Sequence, residues 1–143
     1  MKRLPMLALL MFTLVSIVHG QSKPRDGNYW RELNETEKTF YALGLFDGTD
    51  LGGIFAMKAT QEVGGDSNKM GDAYSSNVQK YEGGVTIGQM MSGMNSFYED
   101  YRNRSIAVIN GAWVVLRGIK GESQASLDSS ILFLRKNAVP PNP

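Results

Sequence analysis

Apolar residues recur at i, i+3, i+4 and i+7 through Ile87, Met90, Met91, Met94, Phe97, Tyr98 and Tyr101, which predicts an amphipathic helix. Thr86 and Gln89 can form a reciprocal capping box at its start, and Val85 can pack on Met90 as a hydrophobic staple. A second helix follows. Ile106, Ile109, Ala112, Trp113 and Leu116 share one face, while Val108, Val114 and Val115 fill much of the other. A helix apolar on nearly every side belongs in the middle of a domain, although its β-branched residues also allow a buried strand. Ser105 is the expected cap at its start, and Gly118 and Gly121 end it.

Upstream, Asn34-Glu35-Thr36-Glu37 offers an N-cap with acidic residues in the first turn, followed by Phe40, Tyr41, Leu43 and Leu45 at helical spacing. Gly44, Gly48 and Gly52 recur every four residues, so a break near Thr49 to Gly53 is expected before the pattern resumes at Ile54, Phe55 and Met57. Asp47-Gly48 also fits the turn of a β-hairpin. The segment 64–84 is rich in Gly, Ser, Asn and Asp, with isolated Met70, Tyr74, Val78 and Tyr81; it reads as a long loop, either disordered or passive, or a recognition element. A last helix starts at Ser123 or Ser126 and runs through Leu127, Ile131 and Leu134, with Arg135 and Lys136 in the favourable final turn before a proline-rich tail at 138–143. The expected fold is therefore all-α, a compact bundle of four to five short helices spanning 34–137.

The chain's ends change the inventory of chemistry. Lys2 and Arg3, the apolar run Leu7–Val18 and the small residue Gly20 have the layout of a cleaved secretory signal at 1–20, and the run is too short for a spanning helix. Export to the periplasm or the medium, without stable membrane insertion, is the expectation. Segment 21–33 reads as an N-terminal arm whose Tyr29 and Trp30 either anchor to the body or offer an exposed contact. His19 is the only histidine and leaves with the signal, and the chain has no cysteine. Disulfides, thiolate or imidazole metal sites and His-dependent nucleophile systems are thereby excluded, and no cofactor is expected. Two of the 15 basic residues and none of the 14 acidic ones lie in the signal, leaving a net charge of −1. Nothing there favours nucleic acid or anionic lipid as a partner.

The candidate functional residues are few. Asp47 sits in an apolar stretch, as a turn residue or a functional acid. Tyr74 lies in the polar segment. Asp100, Arg102, Asn103 and Arg104, with Tyr98 just before them, form a charged corner between the two best helices. Carboxylates at a helix C-terminus oppose the dipole, so the corner is either an internally paired turn or an exposed knuckle that recognises a partner. Three classes of function remain: a non-enzymatic protein-binding domain, a hydrolase running on Asp47 and Asp100, and a structural envelope or stress protein.

The combination of Lys38, Tyr41, Gly44 and Asp47-Gly48, then Thr86 and Gln89 leading to Phe97-Tyr98 and Arg102-Asn103-Arg104, then Ile106–Gly121, resembles small exported bacterial proteins of uncharacterised function over roughly Trp30 to Arg135. More distantly it is similar to the periplasmic immunity proteins that neutralise type VI secretion amidase toxins. That resemblance implies a helical domain, often a homodimer, that occludes a toxin's active site with a protruding loop.

Overall fold

The computed structural model describes residues 24–138, so the secretory signal, the first residues of the arm and the end of the tail lie outside the described residues. Six α-helices follow one another: α1 Gly27–Glu32, α2 Glu35–Glu62, α3 Ser67–Tyr81, α4 Ile87–Glu99, α5 Val108–Ile119 and α6 Gln124–Asn137, with a 3-10 turn at Tyr101–Asn103 between α4 and α5. Among the described residues the only β-type pairing is an isolated bridge between Asp26 and Ala107, so the strand and hairpin alternatives do not hold. None of the described helices is long and apolar enough to cross a membrane.

The predicted caps form as read. Asn34 accepts from the Glu37 amide at 3.0 Å while its own amide donates to Glu37 at 2.7 Å, and Thr86 and Gln89 exchange the equivalent bonds at 3.1 and 2.9 Å. Each box satisfies two amides that the helix geometry leaves without partners. Ser123 caps α6. Ser105 does not cap α5: the helix starts at Val108 with Ala107 at the cap position and no side-chain cap, and the Val108 amide donates instead to the Arg25 carbonyl at 2.8 Å. The N-terminal arm thus supplies an acceptor at the start of α5.

The core forms where α1, α4 and α5 meet the first half of α2. Trp30, Ala42, Met90, Met94, Tyr98, Ile106 and Val108 are sealed from solvent. Trp30 donates its indole N–H to Asn95 at 2.9 Å and stands edge-on to Tyr41, which satisfies the one polar atom of a large buried ring. Tyr98 is gripped between Gly27 and Gly111: a Cβ at either position would lie 2.5 Å or less from the tyrosine, so only glycine lets α1 and α5 close on it. The arm is therefore part of the domain, anchored by Trp30.

Two expectations need correction. The segment 64–84 is not a loop. Asp66 caps it by accepting from the Lys69 amide at 3.0 Å, and α3 runs for 15 residues. Its apolar positions Met70, Tyr74, Val78 and Tyr81 already have helical spacing; the Gly, Ser and Asn between them lower helix propensity, and packing on α2 overrides that deficit. Nor does α2 break near Thr49–Gly53. It continues for 28 residues because Gly52 and Gly53 form the seat on which the Tyr74 ring lies. Among the described residues the bundle accordingly has six helices, one of them long, where four to five short ones were expected.

Candidate recognition surface

The charged corner is built inward. Asp100 caps the 3-10 turn by accepting from the Arg102 amide at 3.0 Å, and its carboxylate also takes bonds from the Arg102 guanidinium and, at 2.8 Å, from Arg135 of α6. These bonds, with the Arg102 side chain as the largest cause, hold the Asp100 carboxyl well below the usual carboxylate range. Asn103 is buried; it donates to the Phe97 carbonyl at 2.7 Å and accepts from Arg135 at 2.9 Å. Arg104 is half-buried, and its carbonyl accepts from the Gly27 amide at 3.0 Å. Tyr98 lies inside the core and donates to the Ile106 carbonyl at 3.1 Å, and burial pushes its hydroxyl pKa up. Asp100 and the residues around it therefore join the end of α4 to α6 and α1. Of the carboxylates that oppose the α4 dipole, Asp100 is answered by Arg102 beside it and by Arg135, an arginine 35 residues away that only the tertiary fold supplies.

The other two candidates lie elsewhere. Tyr74 is inserted between α3 and α2, its hydroxyl donating to the Thr49 carbonyl. Asp47 is exposed on the outer side of α2. The structure gathers Tyr98, Asp100, Asn103 and Arg104 around one corner but brings neither Tyr74 nor Asp47 to it. A two-carboxylate glycosidase needs both acids facing one cleft. Asp100 is engaged by two arginines, and it shares none of the cavities described below with Asp47.

A different set of residues faces solvent. Trp113 and Ile109, one turn apart on α5, are 44 % and 62 % exposed, and Phe133 on α6 is 66 % exposed. The α5 helix is thus not apolar all round in a buried setting: it packs Val108, Ala112, Val114, Val115 and Leu116 inward and turns Ile109 and Trp113 to water. Trp113 lies between two concavities. One of about 420 Å³ is lined by Trp113, Arg117, Ser129, Ser130 and Phe133. The other, of about 190 Å³, lies between Trp113 and the Thr49, Tyr74 and Tyr81 side of α2 and α3. Phe133 also borders a larger hollow of about 630 Å³ formed with Arg25, Asp26, Ile106 and Asn110.

The Trp113 ring is held in place from two sides. Tyr81 meets it edge-on with centroids 4.6 Å apart, and the Arg117 guanidinium lies 5.8 Å from its centre. Arg117 is fixed in turn by Glu122 and by Ser130 at 2.9 Å. Bonds from Arg117 first, and then Ser126, hold the Glu122 carboxyl down to about 2. The outcome is a rigid aromatic platform beside a fixed cation. Periodicity assigns Trp113 to the core because Ile106, Ile109, Ala112 and Leu116 share its face, and no local signal marks it as exposed. No family model, curated protein or solved structure matches this chain.

Proposed function

We propose that this is an exported, non-enzymatic domain that works by binding another protein. The observation that carries the reading is the Trp113 platform: a large aromatic ring, half in solvent, immobilised by Tyr81 and Arg117 and bordered by Phe133. Tryptophan and arginine are the residues that dominate binding energy at protein interfaces, and a ring already fixed in position loses little freedom when a partner covers it. The Asp100–Arg104 corner supports this surface from behind by fixing α6.

Within that class, the proposed role is immunity-like inhibition of a cell-wall hydrolase toxin in the periplasm. It rests on the distant resemblance to the immunity proteins of type VI amidases carried by Lys38, Tyr41, Gly44 and Asp47-Gly48 together with the Thr86–Gly121 region. The direct test is co-expression with a periplasmic peptidoglycan amidase of that group. Wild-type protein should restore growth and co-purify with the enzyme, whereas Trp113→Ala combined with Phe133→Ala should lose both while keeping its helical circular dichroism. Removing one such anchor typically weakens a complex by at least ~2 kcal/mol, or about thirtyfold. Unimpaired protection by the double variant would overturn the assignment of the surface, and an unbound, fully active amidase would overturn the assignment of the partner.

A further inference from the structure

The ends of α3 and α5 meet beside the Trp113 platform, and a hollow of about 420 Å³ opens there between Lys80, Tyr81, Arg117, Lys120 and Glu122. It adjoins the platform on both sides. Arg117 also lines the concavity that holds Phe133, and Tyr81 also lines the one toward Thr49.

Its three cations are held differently. Arg117 is paired with Glu122, whose carboxylate also accepts from the Ser126 hydroxyl. Lys120 donates to the Gly83 carbonyl at 2.8 Å, a neutral acceptor that fixes the ammonium without cancelling its charge. The Lys80 ammonium lies 4.8 Å from the centre of the Tyr81 ring. Neither lysine belongs to an ion pair among the described residues. Both helices end at this hollow, and a helix C-terminus is equivalent to roughly half a negative charge. Three cations against one carboxylate and two helix ends therefore leave an excess of about one positive charge. Glu82, another carboxylate near Trp113, lines the hollow on the Thr49 side instead. The platform is thus basic along one edge and acidic along the other.

We propose that the partner meets this surface with one acidic side chain seated between Lys80 and Lys120 and an apolar side chain laid over Trp113 and Phe133. The inference rests on the reading of Trp113 as a contact for another protein, and it adds the chemistry that this protein must carry. The Tyr81 ring touches both the Trp113 ring and the Lys80 ammonium. The two subsites are therefore within reach of side chains a few residues apart on one extended segment, at ~3.3 Å per residue. A carboxylate there accepts charge-assisted hydrogen bonds from ammonium groups already positioned by Tyr81 and Gly83. An acidic residue on the opposite edge would face Glu82, so the charges also set the direction of the segment.

A blocked peptide Gly-Ser-Glu-Leu-Phe-Gly and its Gln counterpart serve as probes in NMR titrations of the isotope-labelled exported protein. The acidic peptide should shift the amides of Gly83, Arg117 and Lys120 saturably below ~5 mM and bind roughly tenfold more tightly than the Gln peptide. Lys80→Gln combined with Lys120→Gln should abolish that preference and leave the weaker binding of the Gln peptide in place. Both lysines are exposed, so the thermal melt should not move. Trp113→Ala should weaken both peptides alike and keep the preference. No saturable shift, equal affinity of the two peptides for the wild-type protein, or a preference that survives loss of both lysines would overturn the inference; the co-expression test of Trp113 reads independently of it. Inorganic phosphate shifting the same amides as strongly as the acidic peptide would overturn it too, because the hollow would then take any anion. Unchanged affinities in the Trp113→Ala variant would instead overturn the platform while the Glu-over-Gln preference still supports the carboxylate subsite.

Discussion

The two ends of α2 sit in contrasting surroundings. Its first half passes over Trp30 and α4 and contributes fully buried Ala42, in a region where Tyr98 is clasped by two glycines and Trp30 has its single donor satisfied. Its second half packs mainly on α3, and α3 buries none of its residues completely. The α2–α3 contact relies on one ring, Tyr74, lying across Gly53, and on Met57 against Gly71. α3 is further held at its end by the Tyr81–Trp113 contact and by Lys120, which donates to the Gly83 carbonyl at 2.8 Å. The lesson is one of burial. Both regions have regular, capped helices, but the free energy that makes the fold cooperative is concentrated where large side chains are sealed from water.

That contrast can be broken at its strong side first. Trp30→Ala empties the largest buried side chain and strands the Asn95 acceptor, so it should cost about 3–5 kcal/mol of unfolding free energy, read by denaturant titration. If the loss were below about 1 kcal/mol, the core would not be centred where the burial places it. Tyr74→Ala tests the weak side. It should cost about 1–2 kcal/mol, expressed locally, with amide exchange accelerating across α3 and the second half of α2 while α4 and α5 keep their protection. Equal acceleration everywhere would show that the two regions unfold as one unit.

A smaller effect sharpens the comparison at two ion-paired carboxylates, Asp100 at the charged corner and Glu122 beside Arg117. The carboxyls of Asp100 and Glu122 are both depressed in the fold by their arginine partners. A group with a folded pKa below its unfolded value contributes stability above the unfolded pKa, and that contribution is lost as pH falls toward the folded one. Stability should therefore decline from about pH 4 downward to about pH 2. Asp100→Asn should flatten part of that decline and lower stability modestly at neutral pH, because the pair lies at the surface and is screened. An acid-denaturation profile identical to wild type would remove Asp100 from the account.

Part of this molecule was legible without coordinates. The boxes at Asn34 and Thr86, the Met90–Met94–Phe97–Tyr98 face and the start of α6 at Ser123 all depend on residues within four positions of one another, so local pattern determined them. The α3 stripe was legible in spacing and obscured by composition: Gly, Ser and Asn reduce helix propensity, but a helix packed on a neighbour does not rely on propensity alone. Asp100 and Tyr74 were different. Asp100 pairs locally with Arg102, as an internally paired turn requires, but its other partner Arg135, like the Thr49–Gly53 segment that seats Tyr74, is tens of residues away, and no short-range rule supplies either.

Sequence by itself determined the all-α class, the helix starts at Asn34, Thr86 and Ser123 and the absence of thiol and imidazole chemistry from the chain beyond residue 20, because helix periodicity, capping and residue inventory are properties of neighbours or of counting. Tertiary structure decided which apolar face is inside. Phe40, Leu51 and Phe55 on α2, like Ile109 and Trp113 on α5, have the same hydrophobicity as the core residues beside them, and only the placement of the other helices leaves them facing water. Burial depends on what the rest of the chain covers, and a periodic pattern carries no record of which of two apolar faces is covered.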